Sequence, residues 1–347
     1  MLKIRSDIIQ SIQAAQEAAD IYQYLQGAIE LEHSTIPPYL EALYSIKHDK
    51  NEIVADLIRS IVIEEMLHMA IAANVLNAIG GAPEINKPDF IPNYPDQLPM
   101  NVHGGLLVGL APLSKPLIHD VFMEIEMPED PKDFPVRLMA TQQAGFATIG
   151  LFYTAIIEKL KELGDRIFVG NPSRQVVDNI WFPPAQLFPI HDVDSAVRGL
   201  GIIVRQGEGT SDDPLEPDGE PAHYYRFAEI YNGKRLVPDP TVEEKFSYSG
   251  APIPFDPVGI WDMVINPKVA NYPAGSTARA YADRFNGIYT NLLNSLHVTF
   301  NGEPQHLAKA IGGMYELRLA AEALIEIHDD ATGKQAAPTF QYAQENT

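Results

Sequence analysis

The chain has 347 residues, of which 46% are hydrophobic and none is cysteine, so it has ample length for a buried core. Its formal charge of −21 lacks the basic footprint that nucleic acid or an anionic membrane surface requires. The missing thiols exclude disulfides, thiolate catalysis and cysteine-ligated metals, so any metal must be held by His, Asp and Glu.

The N-terminus, MLKIRSDIIQSIQAAQEAAD, lacks the apolar stretch and cleavage site of a signal peptide. No apolar run reaches the roughly 20 residues of a membrane span. A cytoplasmic protein is expected. The first helix is predicted over residues 5–46, where Ile21, Leu25, Ala28, Glu32, Ile36, Tyr39 and Leu43 recur at helical spacing. Pro37 lies inside it and cannot donate to the carbonyl of His33, which predicts a kink or local unwinding. The second helix is predicted over 51–79, on the stripe Val54, Ile58, Ile61, Glu65, His68, Ala72, Val75, Ile79, and Gly80-Gly81-Ala82-Pro83 stops it.

From 84 to 134 the chain reads as ordered loop, with a short strand or loop at GGLLVGLAPLS and a helix over 115–126. A third long helix is expected over 136–163, closed by Gly164. A loop rich in aromatics and prolines follows, and Asp192 or Asp194 caps the next helix, which stops at Gly207-Glu208-Gly209. TSDDPLEPDGE is an acidic insertion. Pro221 suits a first helical position for AHYYRFAEIYNG. Residues 235–275 read as mostly irregular, two further helices are expected over 276–300 and 304–329, and 331–347 reads as a frayed tail. Both Pro-rich stretches carry aromatics that would pack back on helices. The expected organisation is therefore one mainly α domain over 1–330, with a flexible tail over 331–347.

Glu65 and His68 pose the chemical question. Residues three apart are neighbours on a helix, and Ile61 and Ala72 flank this pair one turn away on either side. A buried ionised carboxylate costs several kcal/mol unless it is paired or bound to metal. An inward Glu-x-x-His is a known way to hold iron or manganese in a four-helix bundle. Taken alone the pair is read more readily as an ion pair, or as a histidine hydrogen-bonded to a backbone carbonyl, and Glu64 is also a neighbour of His68. Glu32 adds a second inward carboxylate on the preceding helix, while Glu30 points elsewhere. Glu208 continues the stripe Val197, Leu200, Val204, and His223 turns inward with Phe227 and Ile230. Their separation is not a helical Glu-x-x-His, so an exposed turn residue and an ordinary helix-start histidine remain open readings.

IELEHSTIPPYLEALYSI, EEMLHMAIAANVLNAIGGAP, TIGLFYTAI and IVRQGEG followed by AHYYRF resemble, in order, the ferritin-like family that includes the iminophenyl-pyruvate dimer synthase domain of bisindole biosynthesis. The resemblance spans about residues 21–265. It implies a mainly α, ferritin-like four-helix bundle with long Pro-rich loops and additional C-terminal helices, holding a metal on Glu32, Glu65, His68, Glu208 and His223. One departure stands out: such a site takes a carboxylate from its third helix, where this sequence has Leu151. Glu158, the nearest acid on that helix, is about 10 Å further along at 1.5 Å per residue. Whether one metal or two is held therefore stays open.

The oxygen and nitrogen donors suit Fe(II) or Mn(II), and Fe as one or two ions is expected, with Mn or Zn as alternatives. The resemblance implies a non-haem iron oxidase or oxidative-coupling enzyme for a small amino-acid-derived substrate in secondary metabolism. Tyr39, Phe152 and Tyr153 are candidates to line its pocket, and Gln206 and Arg226 to orient ligands. His33 points off the Glu32 stripe. The expected partner is a small molecule rather than nucleic acid or membrane, and a homo-oligomer is compatible with the sequence. The alternative class is a metal-binding or metal-free bundle without turnover, serving as a binding or assembly module.

Overall fold

The computed structural model describes residues 6–101, 105–128, 149–178, 180–208, 213–216 and 219–343. The single helix expected over 5–46 is two helices, α1 (Ser6–Ala14) and α2 (Ala18–Tyr44). The Asp20 carboxylate accepts the backbone N–H groups of Gln16 and Glu17, satisfying donors at the break and starting α2 afresh. No unwinding occurs at Pro37 and Pro38, which lie inside α2. Pro38 deprives the Ser34 carbonyl of its helical donor, and the Tyr94 hydroxyl supplies another at 2.8 Å.

α3 (Glu52–Ala78) follows and packs along α2. It is long and apolar enough to cross a membrane, but 83% of its most apolar window is buried inside the molecule, as in a core helix. The Pro-rich connection holds a short antiparallel pair, β1 (Asp96–Gln97) with β2 (Leu107–Val108). The helix expected over 115–126 is α4 (Lys115–Leu117), a π-helical turn (Ile118–Phe122) and α5 (Met123–Ile125).

α6 (Ile149–Leu163) is the later part of the third long helix, and residues 136–148 lie outside the described residues. α7 (Val193–Glu208) packs on both α6 and α3, so α2, α3, α6 and α7 form the bundle. Of the two proposed caps for α7, Asp192 accepts the Ser195 N–H at 2.8 Å. α8 (His223–Asn232) lies against α3, α7 and the π-helical turn. Pro221 is not its first residue: Ala222 precedes the helix and the Pro221 carbonyl accepts Arg226 Nε at 2.5 Å.

Strands β3 (Val237–Pro238) and β4 (Phe246–Ser247) pair within the irregular region that follows. α9 (Thr277–Phe300) and α10 (Leu307–Ile325) then form a hairpin beside the bundle. One hydrophobic cluster runs from Ile12 through the bundle to Phe340. The C-terminal segment corrects the frayed-tail expectation. β5 (His328–Asp329) pairs with β6 (Lys334–Gln335), residues 336–340 are buried, and the Ala337 N–H donates to Tyr272 Oη at 2.8 Å.

Candidate metal centre

The polar residues on the α2 and α3 stripes meet at the bundle axis. Glu32 comes from α2, Glu65 and His68 from α3, and His223 from the first turn of α8. A fifth residue joins them: Glu126, just past α5. All five are buried, none more than 6% exposed. Ligand atoms of Glu32, Glu65 and His68 lie within 4.8 Å of one another, and so do those of Glu65, Glu126 and His223. Glu65 thus belongs to two triads, which makes the cluster two half-sites joined by one carboxylate.

Each imidazole is held by its outer nitrogen. His68 Nε2 lies 2.9 Å from Gln206 Oε1, and His223 Nε2 lies 2.9 Å from Glu64 Oε2. Both acceptors require Nε2 to carry the hydrogen, which leaves Nδ1 as the inward atom. His68 Nδ1 is 3.4 Å from Glu32 Oε2 and 3.9 Å from Glu65 Oε2. His223 Nδ1 is 2.8 Å from Glu65 Oε1 and 3.5 Å from Glu126 Oε2, but meets neither in hydrogen-bond geometry. The two rings stack at 5.4 Å between centroids.

The carboxylates are oriented too. Tyr39 Oη donates to Glu126 Oε1 at 2.5 Å, Tyr153 Oη donates to Glu32 Oε1, and Thr35 Oγ1 donates to Glu65 Oε2 at 3.2 Å. Arg226 bridges Glu64 and Glu216, with N···O distances of 2.9 and 2.7 Å.

Burial and this density of charge shift Glu32, Glu65, His68 and His223. Burial, then the Glu126 charge, pushes the Glu65 carboxyl up to about 8. Burial acts most strongly against ionised Glu32, but the hydrogen bond and charge attraction of His68, together with the hydrogen bonds from Glu65 and Tyr153, outweigh it and hold the carboxyl below the usual range. For Glu64, burial is outweighed by His223 and Arg226, which hold it down to about 2. Burial disfavours charge on both imidazoles, yet the surrounding carboxylates raise both, His223 the more strongly. The buried phenols of Tyr39 and Tyr153 are raised by burial and by the same carboxylates.

A cation would relieve the repulsion among these carboxylates and give His223 Nδ1, which has no hydrogen-bond partner among the described residues, a partner. The residues present therefore fit a metal: three carboxylates, two imidazoles held by their far nitrogens, and no thiolate. A cavity of about 30 Å³ adjoins Glu32, Glu65, His68 and Glu126, walled by Leu31, Ile125, Ile149, Ile203 and Val204.

Of the residues singled out from sequence, Glu32, Glu65, His68 and His223 are brought together. Glu208 closes α7, and its side chain lies outside the described residues. Gln206, one of two residues proposed to orient ligands, reaches His68, whereas Arg226 acts on Glu64. Glu30 hydrogen-bonds Gln26 instead of entering the cluster, and His33 Nε2 faces Tyr289 Oη. Tyr153 enters the centre, but its neighbour Phe152 is packed in the core.

A carboxylate does stand in the cluster, from a segment other than α6. Leu151 lines a surface groove with Ile9 and Gln13 of α1, and Glu126 stands in the cluster. Glu126 is not on a long helix, so helical periodicity does not single it out. Its signal was an acid closing the apolar stretch Ile118, Phe122, Ile125. The π-helical turn resets the helical phase just before it, and such turns recur at functional sites.

A family model described as Ferritin-like matches residues 25–232. Among solved structures, a ferritin like protein from Caulobacter vibrioides, determined at 1.95 Å resolution, is similar with a TM-score of 0.61. It is 24% identical, and the match covers 93% of this chain and 97% of that one, a likeness of fold. No curated protein matches the chain.

Proposed function

The chain belongs to the ferritin-like family, and from that premise we propose that Glu32, Glu65, His68, Glu126 and His223 hold two metal ions, with iron the best-suited occupant. The observation that carries this reading is the sharing of Glu65 by two buried carboxylate–imidazole triads. A carboxylate from one segment and a Glu/His pair from another, facing one another inside a bundle, is the donor pattern of dinuclear carboxylate centres. Glu208, the last residue of α7, stays in the proposal as a further donor. Oxygen and nitrogen donors without sulfur suit Fe(II) or Mn(II), with Zn a weaker candidate.

Bound Fe(II) would supply dioxygen chemistry, and we infer a non-haem oxidase of a small organic substrate. The motif resemblance favours an amino-acid-derived imine in secondary metabolism as that substrate. The chain's own part is positioning and exclusion. Tyr39 and Tyr153 fix the outer carboxylates, Gln206 and Glu64 fix the imidazoles, and the aliphatic wall keeps bulk water away. A second reading is metal binding without turnover. It is favoured by the size of the cavity, about 30 Å³, which suits dioxygen or a water better than an amino-acid-sized molecule.

Anaerobic Fe(II) loading followed by metal analysis tests the centre. Two equivalents are expected in the wild type, with most of the metal lost in Glu65→Ala and about one equivalent lost in His68→Ala. Less than about one-tenth of an equivalent in folded wild type would overturn the proposal. Oxygen uptake that needs both Fe(II) and an imine substrate supports the oxidase. Full metal loading with no uptake across such substrates supports the binding-only reading.

A further inference from the structure

The two halves of the centre are alike in their carboxylates and unlike in what holds their imidazoles. Each outer carboxylate takes one tyrosine hydroxyl, Glu32 from Tyr153 and Glu126 from Tyr39. Each histidine presents Nδ1 inward and is tethered through Nε2. The tethers differ in charge. His68 is held by the neutral amide of Gln206, which is itself buried, 2% exposed. His223 is held by the carboxylate of Glu64. Behind Glu64 stands Arg226, and behind Arg226 stands Glu216, so the chain of groups leading away from His223 carries two negative charges and one positive.

A hydrogen bond to a carboxylate is charge-assisted and draws the Nε2 proton away from the ring, which makes the opposite nitrogen a stronger donor. An amide oxygen does this far less. Arg226 also keeps Glu64 in place, since it donates Nη1 to both Glu64 and Ser60 Oγ and is fixed from the other side by the Pro221 carbonyl.

The geometry points to an ordered centre in which the Glu126–His223 half is the tighter metal position and fills first, and the Glu32–His68 half fills second. Glu64 and Arg226 are its positioning residues. This rests on the dinuclear reading above and adds an order to it. The order places the second, weaker ion beside Glu32 and His68; the aliphatic cavity borders these and Glu126 of the other half, but not His223.

Anaerobic titration with Co(II), followed by its visible absorption, tests the order without any turnover. Wild type should bind in two steps. His68→Ala should keep the tighter step, and His223→Ala should keep only the weaker. Glu64→Gln should weaken the tighter step by about 10–100-fold, the usual effect of removing a partner behind a metal-bound histidine, and leave the weaker step unmoved. Gln206→Glu should tighten the weaker step and merge the two, which tests the same idea if Glu64→Gln fails to fold. Loss of the tighter step in His68→Ala, or equal weakening of both steps in Glu64→Gln, would overturn the order while leaving a dinuclear centre intact. No Co(II) binding by folded wild type would instead remove the dinuclear reading itself.

Discussion

Glu41 and Glu65 are both buried acids on core helices whose carboxyls burial raises, but only Glu65 has partners among the described residues. Glu65 has two imidazoles beside it and a threonine hydroxyl on one oxygen. Glu41 is fully buried on α2, and neither carboxylate oxygen has a hydrogen-bond partner among the described residues. Burial raises its pKa well above the ordinary 4.5, so it stays protonated when folded. Above that ordinary value the unfolded chain releases a proton that the folded chain keeps. Wild-type stability is therefore lost as pH rises from 4.5 toward the folded pKa. Relative to Glu41→Gln, which mimics the neutral acid, the wild type should lose about 1.4 kcal/mol per pH unit in that window. Urea unfolding of both proteins from about pH 5 to 7 measures it. A constant difference across the range would show that Glu41 ionises in the fold.

At the scale of one element, α2 illustrates how a helix keeps its line through two adjacent prolines. The stripe Ile21, Leu25, Ala28, Glu32 continues to Tyr39 without interruption, so Glu32 and Tyr39 both reach the centre. Removing two helical donors would normally open the helix. The Tyr94 hydroxyl, from the Pro-rich connection, replaces one of them at the Ser34 carbonyl. Tyr94→Phe keeps the ring and removes that donor. It should cost about 1–3 kcal/mol in denaturant unfolding, the penalty for leaving a buried carbonyl unpaired. It should also weaken metal binding, because Ser34 is two residues from Glu32. A neutral effect on both would mean the carbonyl finds another partner.

On the scale of the whole molecule, the C-terminal segment closes the structure over α9. Phe340 is 1% exposed and meets Phe285 and Tyr289 edge-on, at 4.9 and 5.2 Å between ring centroids. Tyr289 in turn hydrogen-bonds His33, the neighbour of Glu32. Thr339 and Gln341 both donate to Asn286 Oδ1. Phe340→Ala should therefore destabilise the protein by about 3–5 kcal/mol, as for a core aromatic. A loose tail would show less than about 0.5 kcal/mol in the same unfolding measurement.

Much of this was legible along the chain. The long helices, the inward faces of Glu32, Glu65 and His68, and the resemblance to a ferritin-like bundle all follow from residues a few positions apart. Helical periodicity writes burial into local sequence, and a carboxylate on an apolar stripe stands out against it. What the sequence left unsaid depends on which segments meet. That Glu126 rather than a residue of α6 completes the cluster, that Tyr39 and Tyr153 hold the outer carboxylates, and that Glu64 rather than Glu65 tethers His223 from outside are relations between distant elements. So is the docking of the C-terminal segment, whose composition reads as loose until Asn286 and Tyr272 supply its hydrogen bonds. Local pattern determined which groups point inward. Only tertiary packing decided which of them meet, because a buried charge is stabilised by whatever the fold sets beside it, at any separation along the chain.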